Sequence, residues 1–208
     1  NQGNYGGQGG IHIGHAYLVN ISGNTIHHDG NGANASYGIR IQSACTEVLI
    51  TGNQIGEEGQ GGALGVGVNL ENASHTLITG NMFYDNQATK TTAYHVNGTG
   101  SYIVIRDNFF DAAIGAKINV SGTYCIFEDN LGVNPVGPVS APGIPASGVV
   151  IDNPRPYQCR VFINGGTLSD IKIDGVSTGS TAKMVLLGAG ENITLVYSAA
   201  PTWTWFGL

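Results

Sequence analysis

Apolar residues recur along this chain in a fixed phase about an asparagine. The phrase reads NISGNTI from Asn20 to Ile26, LITGNQI from Leu49 to Ile55, LITGNMF from Leu77 to Phe83, VIRDNFF from Val104 to Phe110 and IFEDNLG from Ile126 to Gly132. Its central residues, Asn24, Asn53, Asn81, Asn108 and Asn130, are 29, 28, 27 and 22 residues apart. Three positions before each stand Ile21, Ile50, Ile78, Ile105 and Phe127; five before stand Val19, Val48, Thr76, Ile103 and Cys125. Two positions after come Ile26, Ile55, Phe83 and Phe110. Alternating apolar and polar positions predict strands, and a repeat of this length predicts one coil of a solenoid per phrase. The Asn is placed at the bend between strands, because it tolerates left-handed geometry and bonds local backbone. Stacked coils bring these amides within about 4.8 Å of one another, so a hydrogen-bonded ladder of asparagines is expected.

Each coil carries a second predicted strand: YGIRIQ at Tyr37 to Gln42, VGVNLE at Val66 to Glu71, AYHVN at Ala93 to Asn97 and AKINV at Ala116 to Val120. Alternation points Ile39, Ile41, Val68, Leu70, Tyr94, Val96, Ile118 and Val120 inward. It points Arg40, Asn69, His95 and Lys117 outward in one column, with Gln42, Glu71, Asn97 and Asn119 beside it.

The domains follow from these rhythms. Residues 1–10 form a Gly-rich N-terminal segment and residues 11–133 form the coils. Residues 134–153, with the run NPVGPVSAPGIP, form a Pro-rich linker or cap, in which SGVVID at Ser147 to Asp152 adds a last rung. Residues 154–208 change style to short alternating strands punctuated by Gly, which predicts a small antiparallel β-sandwich or meander. The expected class is all-β throughout.

Composition narrows the functions. The chain has 208 residues, a formal net charge of −6 and only eight Lys plus Arg, so it lacks the basic footprint of a duplex nucleic-acid binder. No apolar run is long enough to insert in a membrane. Cys45, Cys125 and Cys159 are odd in number and unpaired in spacing, which indicates neither a disulfide framework nor a cysteine zinc site. The 33 glycines serve as turn residues between strands. The chain begins at Asn1 without Met and is expected to be a fragment or a processed product.

The IxGNxI/F phrases at Asn24, Asn53 and Asn81 resemble the coils of the right-handed parallel β-helix, or pectin-lyase-like, superfamily. The ending resembles the small C-terminal β-domain of tail proteins from phages of Gram-positive bacteria. That likeness rests on RVFINGG at Arg160 to Gly166, IDGVSTG at Ile173 to Gly179, ENITLVYSAAPTW at Glu191 to Trp203 and WFG at Trp205 to Gly207. Together they imply a bacteriophage tail spike, tail fibre or appendage protein located on the virion and outside the cell. Such proteins are commonly homotrimers, assembled with other tail proteins, that bind and sometimes cleave bacterial surface polysaccharide. The open ends of a short solenoid also expect self-association.

Several residue sets are candidates for chemistry. Asp29, Glu57, Glu58, Asp85 and Asp111 follow successive asparagines by three to five positions and would stack as a column of carboxylates. Neighbouring coils would hold them about 5 Å apart and alternate coils about 10 Å apart, which brackets the carboxylate separations of retaining and inverting glycosidases. Acids at such positions are also ordinary turn acceptors. For ligand binding the outward Arg40, Asn69, Glu71, His95, Asn97 and Lys117 offer planar polar groups at regular height, with Tyr84 and Tyr102 available to stack on sugar rings. Trp203, Trp205 and Phe206 are candidates for a distal receptor anchor, though a terminal alternating aromatic strand more often completes a sandwich core or a subunit interface. His12, His15, His27 and His28 match no zinc spacing, and the DGNG run at Asp29 to Gly32 lacks the rest of a calcium loop. No cofactor or resident metal is expected. Three readings remain: a polysaccharide-binding tail module, a depolymerase using paired carboxylates, and a purely architectural fibre or capsid decoration protein.

Overall fold

The computed structural model describes residues 10–27, 37–43, 45–57, 65–85, 92–111, 117–134 and 136–208, with only the backbone for Glu57 and Ala93. Regular structure among them is all strand. The chain divides into two compact units, Asn1–Val133 and Asn134–Leu208.

The first unit contains β1 (Ile11–Ile13), β2 (Tyr17–Ser22), β3 (Thr25–His27), β4 (Tyr37–Ile41), β5 (Thr46–Thr51), β6 (Gln54–Glu57), β7 (Gly65–Thr79), β8 (Met82–Asp85), β9 (Thr92–Arg106), β10 (Phe109–Phe110) and β11 (Ile118–Glu128). Every pairing among them is parallel, which makes three faces. One face stacks β1, β4 and the first parts of β7, β9 and β11. The next stacks β2, β5 and the later parts of the same long strands. The third stacks β3, β6, β8 and β10. The solenoid and its register therefore follow the sequence pattern. Ile21, Ile50, Ile78, Ile105 and Phe127 align in one buried column, and Ile26, Ile55, Phe83 and Phe110 in another. Each such side chain contributes about 1.5–3 kcal/mol by leaving water.

The asparagine ladder is present. Each Oδ1 from Asn53 to Asn130 accepts both the backbone N–H and the Nδ2 of the asparagine one coil earlier, at 2.9–3.2 Å. The left-handed residue at the bend is nevertheless not the asparagine but the one before it: Gly23, Gly52, Gly80, Asp107 and Asp129 have φ of 66°, 63°, 64°, 56° and 53°. The asparagine acts through its amide, and the preceding residue takes the backbone turn. A second column of left-handed residues marks the bend six positions before each asparagine: Leu18, Glu47, His75, Tyr102 and Tyr124, with φ between 50° and 57°.

Two glycines are demanded by close coil approach. A Cβ on Gly98 would lie 2.0 Å from the Leu70 carbonyl oxygen, and one on Gly122 would lie 1.6 Å from that of Gly100.

The second unit contains β12 (Gly137–Val139), β13 (Val150–Asp152), β14 (Cys159–Asn164), β15 (Thr167–Ile173), β16 (Val176–Ser177), β17 (Met184–Leu187), β18 (Asn192–Ala199) and β19 (Thr202–Gly207). They form two four-stranded antiparallel sheets, β12-β19-β14-β17 and β13-β18-β15-β16. Cys159, Val161, Ile163, Leu187 and Trp205 from one sheet and Ile171, Ile193 and Leu195 from the other share one apolar cluster. The Pro-rich stretch read as a linker or cap supplies β12 and β13 to these sheets. Its Val150–Asp152 strand pairs antiparallel with β18, so it is not a further rung of the solenoid.

Candidate functional site

The outward positions of the first solenoid face carry a second, outer ladder. Register aligns Arg40 with Asn69, Asn69 with Asn97 and Asn97 with Asn119. Asn119 Nδ2 donates to Asn97 Oδ1 at 2.8 Å, and Asn97 Nδ2 donates to Asn69 Oδ1 at 3.0 Å. Asn69 Nδ2 donates to Glu71 Oε1 at 3.2 Å, and the same oxygen accepts Arg40 Nε at 2.7 Å. Three amides thus run one per coil into a compensated ion pair. The hydrogen bond to Glu71 raises the Arg40 guanidinium pKa from its ordinary value, against the smaller opposing effect of burial. Asn69 is only 6% exposed, whereas Asn97 is half-buried and Asn119 exposed. Beside them Glu71, Thr99 and Ser121 align as a further outward column.

Two expected members of this column lie elsewhere. His95 is not outward: it is 1% exposed, packed against Phe83 and Phe110, with Nε2 3.2 Å from the Asp111 carbonyl oxygen. Its backbone N–H and that of Val96 both donate to the Lys117 carbonyl at 3.0 Å, the mark of a bulge, and the bulge turns both side chains inward. Tyr94 is accordingly half-exposed rather than core. Lys117 lies two residues ahead of the column and its Nζ donates to the Gly132 carbonyl at 2.7 Å. Such a slip preserves the period of two, so Asn97 and Asn119 remain outward.

The acidic column is not assembled by the described residues. Asp29 and Glu58 lie outside them, as do His28 and the rest of the DGNG run, and the side chain of Glu57 is likewise undescribed. Glu57 and Asp85 do share a register position on neighbouring coils. Asp85, however, is 0% exposed and its Oδ2 accepts the Thr92 N–H at 2.9 Å, so its carboxylate is buried against a backbone donor. Asp111 is half-buried, and its N–H donates to the Phe83 carbonyl. Among the described residues no group of three His, Cys, Asp or Glu is placed to hold a metal ion.

A family model for a right-handed beta helix region matches residues 1–182. The chain belongs to that family. No curated protein and no solved structure matches it. The match extends past Val133, where the parallel coils of this β-helix protein end and the antiparallel unit begins.

Around the bend from the amide ladder, the β-helix carries an exposed aromatic stack. His75 and Tyr102 lie parallel with centroids 4.7 Å apart, and Tyr102 and Tyr124 with centroids 4.8 Å apart. Both faces of Tyr102 are therefore covered, and it cannot stack on a sugar ring as expected; Tyr124, 66% exposed, ends the stack. Tyr84 is half-buried, edge-on to His27, with its hydroxyl 3.1 Å from His27 Nδ1. A hydroxyl column of Thr46, Ser74, Ser101 and Thr123 runs just before the stack. Sequence reading passed over Thr99, Ser121, Ser101 and Thr123. Outward parity two positions beyond Asn97 and Asn119 was the available signal for the first pair.

The terminal aromatics separate by face. Trp205 is 0% exposed in the core of the second unit, and Trp203 packs edge-on against it while its Nε1 donates to the Pro142 carbonyl at 2.7 Å. Neither tryptophan is placed to anchor a receptor. Phe206 points to the opposite side of the sheet, half-buried against Phe162.

Proposed function

We propose that this protein is a β-helix module of a phage tail spike, fibre or appendage that binds bacterial surface polysaccharide during host adsorption. The observation that carries the reading is the outer ladder: Asn97 and Asn119, with Thr99 and Ser121 beside them, make a column of amides and hydroxyls repeated once per coil. Polymers of repeated hydroxyls are matched by repeated planar hydrogen-bonding groups. The likeness of Arg160 to Gly166, Ile173 to Gly179 and Glu191 to Trp203 to the endings of tail proteins supports the virion setting, and such proteins are commonly homotrimers. Binding is favoured over cleavage because Asp85, the best-described acid of the expected catalytic column, is buried and already accepts a backbone N–H.

The test is saturable binding of the purified chain to bacterial wall polysaccharide, with the same mixtures assayed for new reducing ends and unsaturated sugars. Binding without products supports the module. Products overturn it in favour of a depolymerase, and the absence of both favours a purely architectural protein. Light scattering of the same sample tests the trimer, which a monomer would refute.

A further inference from the structure

We infer that the polysaccharide held by the outer ladder is uncharged, an inference that rests on the glycan-binding reading and adds to it the class of the polymer. Charge is the first ground. The solenoid unit, Asn1–Val133, holds four Lys plus Arg against ten Asp plus Glu, and the second unit holds four of each. The entire formal charge of −6 therefore resides in the solenoid. Its basic residues do not offset this locally for a ligand. Arg40 is paired with Glu71, Arg106 Nε lies 3.7 Å from Asp107, and Lys117 donates to the Gly132 carbonyl; Lys90 is outside the described residues. A polyuronate, sialylated capsule or teichoic acid approaching this unit meets like charge at long range, and both guanidiniums of the unit already face a carboxylate of the chain.

Hydrogen-bond chemistry is the second ground. A side-chain amide offers two N–H donors and two acceptor lone pairs. Asn97 spends one donor on Asn69 and one lone pair on Asn119, leaving one of each. Asn119 spends one donor on Asn97. Each amide thus presents a donor beside an acceptor, as Thr99 and Ser121 do through their hydroxyls. A sugar diol, which also donates and accepts, satisfies both. Where an ionised carboxylate or phosphate takes the place of one of those hydroxyls it accepts only, and would leave the amide oxygen it faces desolvated without a donor, at about 1–3 kcal/mol per group. Because the ladder repeats at about the inter-strand spacing of 4.8 Å, a chain lying along the stack of coils meets the same pair of groups at each step.

The test presents the full chain to an array of neutral hexose and deoxyhexose polymers beside polygalacturonate, sialylated capsule and teichoic acid, at low and high salt. Binding should be confined to the neutral polymers and change less than about twofold as salt rises, since no screened charge contact contributes. Asn119→Asp, at an exposed position, replaces the donor with a carboxylate and should weaken binding about tenfold while the circular dichroism spectrum stays unchanged. Thr99→Ala is a second variant outside the ladder bonds and should weaken it several-fold. Preference for an acidic polymer, or binding abolished by salt, overturns the neutral-ligand inference and leaves glycan binding intact. Binding to none of the polymers refutes the glycan-binding reading itself.

Discussion

Removing the amide of Asn81 should cost the solenoid about 3 kcal/mol, far more than removing that of Asn24. Asn81 is buried, and its side chain makes five hydrogen bonds. Its Nδ2 donates to the carbonyls of Ile50 and Thr79 and to Asn108 Oδ1, and its Oδ1 accepts the N–H and Nδ2 of Asn53. In Asn81→Ala the remaining partners are not equal. Asn53 Nδ2 still reaches the carbonyls of Ile21 and Thr51, and Asn108 Oδ1 still accepts the Asn81 N–H. The Asn53 backbone N–H, however, loses its acceptor in a site closed to water, a loss of about 1–3 kcal/mol. The net bonds forfeited elsewhere add about 0.5–1.5 kcal/mol each when not replaced. Asn24 stands at the end of the ladder: its Nδ2 donates to the Ser22 carbonyl and to Asn53 Oδ1, and that oxygen keeps the Asn24 N–H when the side chain is cut. Asn24→Ala should therefore cost about 1 kcal/mol or less. Urea unfolding followed by far-ultraviolet circular dichroism measures both. Tryptophan emission in the same titration reports the second unit alone, because Trp203 and Trp205 are the only two tryptophans. Equal losses for the two variants would refute the claim that the ladder stabilises by keeping the buried N–H of the next coil satisfied.

Thr76→Val should stabilise the protein by about 1 kcal/mol, because Thr76 is 1% exposed in a column with Val48 and Ile103 and its buried Oγ1 has no hydrogen-bond partner; an unfolding midpoint below that of the parent would contradict this. Gly122→Ala should destabilise by several kcal/mol, since its Cβ would meet the Gly100 carbonyl, whereas Gly143→Ala, with open space around it, should stay within about 0.5 kcal/mol in the same unfolding assay. Arg40→Ala should cost less than about 1 kcal/mol, because the Arg40 and Glu71 side chains are 27% and 35% exposed, and the loss should shrink in high salt. Burial pushes the thiols of Cys125 and Cys159 above their ordinary value. A group whose folded pKa is raised holds its stabilising share below the unfolded pKa and loses it as pH rises towards the folded one. Unfolding free energy should thus fall above about pH 8.5, and native-state alkylation of these thiols should be slow until the chain unfolds.

Much of this fold is legible along the chain because its determinants are local and periodic. The phrase around Asn53 and Asn81 sets which residues point inward, and a parallel stack reproduces that choice coil after coil, so the solenoid, its columns and the inner amide ladder all follow from a period of two inside a longer repeat. The stepped change near Asn134 is legible for the same reason, since alternation continues but the asparagine phrase stops. Tertiary structure decided what depends on register between coils. The bulge at His95 and Val96 arises because two adjacent N–H groups share one carbonyl from the next coil, which no local pattern in AYHVN announces, and it moves a histidine from the expected ligand column into the core. Asp85 looks like an exposed turn acid until the fold brings the Thr92 N–H to its carboxylate across a gap in sequence. Trp203 and Trp205 alternate as a strand should, but which side of that strand meets the second sheet is settled only when Ile171, Ile193 and Leu195 arrive to cover it. Sequence by itself determined the coils and their inward faces, because burial acts residue by residue. The outer ladder from Arg40 to Asn119 exists only in the assembled stack, because each of its hydrogen bonds but one joins residues more than twenty positions apart in the chain.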